Sequence, residues 1–139
     1  MAETSEWSVP ERIEEFNRRY QMLGQAPFIA AELRATGCDY GASSYTTVDE
    51  ADDLADRLQL GPGMRLLEVG AGAGWPGVYM AASRGCDLIV TDLAVEGLKM
   101  ARARMSAEGV AGVAVAAGGE RLPFRDRMFD AATSSDVFC

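Results

Sequence analysis

Between Leu66 and Gly77 the chain reads LLEVGAGAGWPG. A short apolar run ends in an acid, Glu68, and glycines follow at alternate positions, Gly70, Gly72 and Gly74, with Ala71 between the first two. Glycines at a strand-to-helix turn let backbone approach a ligand closely and set amides at the start of a helix. Counted from Gly70, the pattern is G-x-G-x-G. Counted from Gly72, it is the dinucleotide spacing G-x-G-x-x-G, but with Pro76 inside the turn that would cradle phosphate. A second apolar run ends at Asp92, about 20 residues on, where an ionised carboxylate can accept hydrogen bonds from both hydroxyls of a ribose. Together these residues point to a nucleotide-like ligand. Their structural alternatives are an N-cap role for Asp92 and, for Glu68, a strand-end carboxylate capping loop amides.

Such a site needs strands and helices in alternation. Apolar runs at 65–69, 87–91, 113–117 and 129–134 predict strands. Helices are expected over 8–24, with Pro10 in its first turn and Ile13, Phe16, Tyr20 and Leu23 at helical spacing, and from Pro27 to Gly37. After a loop at 37–46, Thr47 and Glu50 form a capping box for a helix whose apolar face is Val48, Ala51, Leu54, Ala55 and Leu58. Further helices are expected at 76–84 and 95–108, the latter with Val95, Leu98, Ala101 and Met105 turned inward. This alternation implies an α/β fold with a parallel sheet and right-handed crossovers.

Composition narrows the function. The 139 residues suit one domain, and 48% are hydrophobic, enough for a core. A net charge of −8, with Lys99 as the only lysine, disfavours nucleic acid as a partner. With no histidine, the chain offers no histidine base and no histidine metal ligand. Cys38, Cys86 and Cys139 lack metal spacing, and the acids between Asp49 and Asp56 read as a helix first turn and solvated face, so no metal is expected. No run is long and apolar enough for a bilayer, and the polar, acidic start MAETSEWSVPERIEE is unlike a signal peptide; a cytoplasmic protein is expected.

Residues 64–138 resemble the class I S-adenosylmethionine-dependent methyltransferases. EVGAGAG (68–74) is similar to their first motif, VTDL (90–93) to their second, and ERLPFRDRMFDAATSSDVF (120–138) to the L-P-F…F-D segment and fourth strand of the small-molecule branch. The resemblance implies a Rossmann-like parallel sheet of the class I type, here incomplete with strands one to four, behind N-terminal helices. It divides the chain into a helical lead-in and cofactor-covering loop, 1–46, and the cofactor-binding half of a methyltransferase domain, 47–139. The cofactor implied is S-adenosyl-L-methionine, and the acceptor a small molecule.

By the same resemblance, Gly70, Ala71, Gly72 and Gly74 admit the cofactor, and Glu68 orients its amine directly or through water. Asp92 takes the ribose, Tyr45, Thr46 and Thr47 lie over the methionine end, and Leu93 and Ser134 are further cofactor-binding residues. Relatives often place an acid for the adenine amino group where this chain has Gly118; Gly119 and Glu120 remain for that contact. Trp75 is large for the loop and is expected to pack in the core. No strong base stands out; Tyr45 and Asp136 border the expected methyl position, with packing and N-cap roles as alternatives.

The family sheet has seven strands in the order 3-2-1-4-5-7-6, so a chain carrying four is expected to be truncated. Its fourth strand would form an exposed edge open to self-association. Three functions are consistent with these residues: an active methyltransferase completed by further sequence or a partner, a non-catalytic cofactor-binding or interaction module, and a nicotinamide-dependent oxidoreductase using the Gly72 register.

Overall fold

The computed structural model describes residues 8–137. Two helices lead in, α1 (Val9–Leu23) and α2 (Ala26–Thr36), followed by α3 (Val48–Arg57). Strands and helices then alternate as β1 (Arg65–Val69), α4 (Gly77–Arg84), β2 (Asp87–Asp92), α5 (Val95–Ala107), β3 (Gly112–Ala116) and β4 (Ala131–Thr133). All strand pairs are parallel, in the order β3-β2-β1-β4.

Local chemistry accounts for most element starts. Thr47 and Glu50 form the expected capping box: the Thr47 amide donates to Glu50 Oε2 (2.8 Å) and the Glu50 amide to Thr47 Oγ1 (3.3 Å). A second box opens α1, where the Ser8 amide donates to Glu11 Oε2 (2.8 Å). The acids of α3 act as ion-pair partners: Asp52 and Asp56 hold Arg84 of α4, and Asp53 holds Arg57.

The register aligns Leu66 with Leu88 and Glu68 with Val90, so alternate residues of β1 and β2 share one face. Leu66, Leu88 and Val90 belong to the buried cluster that includes Val78 and Met80 of α4, Leu98, Ala101 and Met105 of α5, and Ala51 and Ala55 of α3. Cys38 and Cys86 are buried free thiols in that cluster; Cys139 lies outside the described residues.

Two expectations about the elements need correction. Val95 is 45% exposed rather than inward, because α5 begins beyond the end of the sheet and its first residue has no strand to pack on. The fourth strand is shorter than 129–134. Phe129 packs edge-to-face on Phe124, with ring centroids 5.1 Å apart, and Asp130 fixes the strand entry by accepting the Arg65 amide (2.7 Å).

Candidate functional site

The strands' C-terminal ends open into a cavity of about 630 Å³, within the usual range for small-molecule sites. Its floor is the turn after β1, with Gly70, Ala71 and Trp75. One side is the end of β2, with Asp92 and Leu93, and the next is the turn after β3, with Gly118, Gly119 and Glu120. Asp136 and Val137, beyond β4, and Ser44 from the loop after α2 complete that rim. The remaining wall is α1, through Val9, Arg12, Ile13, Phe16 and Tyr20.

Asp92 organises this site. Its Oδ2 accepts the Gly72 amide (2.8 Å) and its Oδ1 accepts the Ala94 amide (2.7 Å), so one carboxylate fixes both the glycine turn and the start of α5. Each oxygen keeps a further lone pair, and the group borders the cavity.

Glu68 lies behind the turn and not in the cavity wall. It is 1% exposed, and its Oε2 accepts the Gly77 amide (3.0 Å) at the first residue of α4. Burial pushes its carboxyl up to about 8, and the Asp92 charge adds to the rise, against the opposing effect of the Gly77 hydrogen bond. Other amides of the turn are also engaged: Gly74 donates to the Ala71 carbonyl (2.8 Å) and Val78 to the Gly74 carbonyl (2.8 Å). The first amide of α4 is therefore engaged by an acid of the chain itself, from behind the turn.

Gly72 is held to glycine by the protein's own packing. Its φ is +52°, and a Cβ there would fall on the Tyr20 hydroxyl oxygen at 2.0 Å; a Cβ at Gly97 would meet the Tyr20 ring at 2.9 Å. Tyr20 is thus seated between the glycine turn and α5. Burial, with Asp92 nearby, holds its phenol well above the usual value, so it stays protonated. Gly74 lies against Val78 and Ala101.

The other expected site residues are distributed as follows. Tyr45 is 86% exposed and outside the cavity wall, so its ring does not border the site. Asp136 accepts from the Ser44 hydroxyl, the Tyr45 amide (3.1 Å) and the Thr46 hydroxyl (3.3 Å), which hold its carboxyl below the usual range. Thr46 also accepts, through its carbonyl, the Trp75 indole N–H (2.8 Å), and Thr47 caps α3. Trp75 is buried as expected, against Tyr40 and Tyr79 at 5.2 and 5.3 Å, while its edge reaches the cavity. Ser134 donates to the Val69 carbonyl (3.1 Å) and ties β4 to β1. The Glu120 carboxylate folds back on Gly118: a Cβ there would lie 2.7 Å from Glu120 Oε2. The α1 wall was not foreseen; the only sequence signal for it was that helix's apolar periodicity, which ordinary core packing also explains.

A glycine turn after β1, an acid ending β2 and a cavity across the strand ends match the arrangement of a nucleotide-type cofactor site on an α/β sheet. The methyltransferase domain model matches residues 67–139. The chain therefore belongs to the S-adenosylmethionine-dependent methyltransferase family. It is 36% identical over 110 residues to the botryococcene C-methyltransferase of Botryococcus braunii, covering 76% of this chain and 28% of that protein. It is 30% identical over 102 residues to the glycine/sarcosine/dimethylglycine N-methyltransferase of Actinopolyspora halophila, covering 72% and 18%. Among solved structures, a methyltransferase from Thiobacillus denitrificans in complex with S-adenosyl-L-homocysteine matches with a TM-score of 0.55 and 27% identity, over 63% of this chain and 36% of that one. The chain thus spans less than a third of these curated relatives and little over a third of that solved chain.

Proposed function

We propose that this chain is the cofactor-holding portion of an enzyme that moves a methyl group from S-adenosyl-L-methionine to a small molecule. The observation that carries the reading is the Asp92 carboxylate, fixed by the Gly72 and Ala94 amides and bordering the cavity with acceptor capacity left for ribose hydroxyls. Gly70 and Ala71 give the close backbone approach, and Leu93 and Gly119 flank the adenosine. Glu120, folded over Gly118, offers a carboxylate for the adenine amino group where relatives often carry an acid two residues earlier. Glu68, Gly72, Gly74, Thr46, Thr47 and Ser134 support the site from behind by holding its loops and elements.

The sulfonium supplies the leaving group: an acceptor lone pair forms the new bond to carbon as the carbon–sulfur bond breaks. Catalysis then rests mainly on alignment, which is what a fixed turn and a closed wall contribute. Asp136, stabilised as a carboxylate by donors from Ser44, Tyr45 and Thr46, is a weak proton acceptor and serves to clamp the 44–46 loop to the segment after β4. Among the described residues β4 ends the sheet, and its open edge is where further strands, or a second copy, would add.

The acids around the cavity, Asp92, Glu120 and Asp136, weigh against a pyrophosphate cofactor. Calorimetry with S-adenosylhomocysteine and with NAD tests the reading. Binding of the first alone supports it; binding of NAD alone overturns it.

A further inference from the structure

The α1 wall carries a group that the proposed reading does not use. Residues 9, 12, 13, 16 and 20 recur at helical spacing, and all five border the cavity. Four are apolar or aromatic; the fifth is Arg12. Among the described residues lining the cavity it is the one cation, and the other charged groups there are Asp92, Glu120 and Asp136. Most exposed ion pairs of this chain lie on its own helices, as in Arg18 with Glu14 and Glu15. Among the described residues, the Arg12 guanidinium has no carboxylate within ion-pair distance.

We infer that Arg12 binds the carboxylate of an α-amino-acid moiety in the ligand, so that α1 is part of the cofactor site and not only packing around it. The inference rests on the cofactor reading above. Its chemistry is simple: three acids suit hydroxyls, an amine and a sulfonium, but a ligand carboxylate among them needs a cation, and Arg12 is the cation present. A guanidinium also presents paired donors that match a carboxylate. Position agrees with this role. Tyr20 seats the inner end of α1 beside Gly72 and near Asp92. Arg12 lies two turns away, about 12 Å along the helix axis. That puts it away from the Asp92 end of the cavity, so it serves a part of the ligand other than the ribose.

The test compares S-adenosylhomocysteine with its decarboxylated analogue, which keeps adenosine, thioether and amine, by calorimetry on the 139-residue chain. Arg12→Gln is expected to weaken S-adenosylhomocysteine about tenfold, the effect of losing a hydrogen bond to a charged group, and to leave the analogue within about twofold. Arg12→Lys should recover part of the loss, and Arg19→Gln, outside the cavity wall, none of the effect. Equal weakening of both ligands, or no weakening of either, overturns the role of Arg12. If the unmodified chain binds neither ligand, the cofactor reading itself fails and takes this inference with it.

Discussion

Asp92 and Gly72 are joined by a 2.8 Å hydrogen bond from the glycine amide to the carboxylate, so the end of β2 and the turn after β1 are one unit. That bond links fold to function. The acid we propose for the ribose is also the acid that fixes the Gly72 turn and the start of α5.

Replacing Asp92 should therefore show in two measurements. Asp92→Ala leaves the Gly72 and Ala94 amides without their acceptor and should lower unfolding free energy by about 1–3 kcal/mol. In Asp92→Asn one acceptor oxygen remains. That variant keeps one of the two amide bonds, so it should lose less stability than Asp92→Ala, and it should bind S-adenosylhomocysteine about tenfold more weakly, since a charge-assisted acceptor is lost. Unchanged affinity in a folded Asp92→Asn would remove Asp92 from the site.

Gly72→Ala places a methyl group on the Tyr20 hydroxyl and demands a positive φ. A loss of roughly 2–4 kcal/mol is expected in denaturant unfolding. Tyr20→Ala in the same chain should recover part of the steric cost, so the two changes should not be additive. Strict additivity would mean that the contact does not constrain Gly72.

The buried Glu68 sets a pH dependence. Its carboxyl ionises near 4.5 in the unfolded chain and about 8 in the folded one. Between those values the folded state keeps a proton that the unfolded state has lost, so this group's contribution to stability falls as pH rises through that window and is flat above it. Glu68→Gln retains an acceptor for the Gly77 amide and has nothing to ionise. Its thermal midpoint relative to the unmodified chain should climb from pH 5 to pH 8. A constant difference across that range contradicts the assignment.

Glu120→Gln tests the adenine contact. The expected result is a several-fold loss for S-adenosylhomocysteine, the effect of one hydrogen bond to a charged group, and no loss for the analogue carrying hypoxanthine in place of adenine. A matching loss for both would assign Glu120 a general electrostatic effect instead.

Much of the framework was legible because its signals are local. The Thr47–Glu50 box, the apolar runs of β1 and β2 and the acid at Asp92 each lie within a few residues of what they specify. What escaped is long-range. The seating of Tyr20 on Gly72 and Gly97 joins segments far apart in sequence, and periodicity in α1 shows an apolar face without showing what it covers. The alternation of glycines suggested ligand approach at every position and gave no sign that Gly72 and Gly74 also lie against Tyr20, Val78 and Ala101. Glu68 read first as the acid orienting the cofactor amine, with capping as the alternative; its burial under the turn and its bond to Gly77 show the capping contact. Phe129 looked like strand and instead pairs with Phe124, a contact that depends on the fold of the 118–130 connection.

The central claim is that the cavity across the strand ends holds the adenosyl cofactor. Amide chemical-shift mapping of the 139-residue chain during titration with S-adenosylhomocysteine tests it most directly. The account predicts saturable shifts at Gly70, Ala71, Leu93 and Gly119 and along the Arg12–Phe16 face of α1, with none on adding NAD. Shifts confined to other surfaces, or the same set produced by NAD alone, would contradict it.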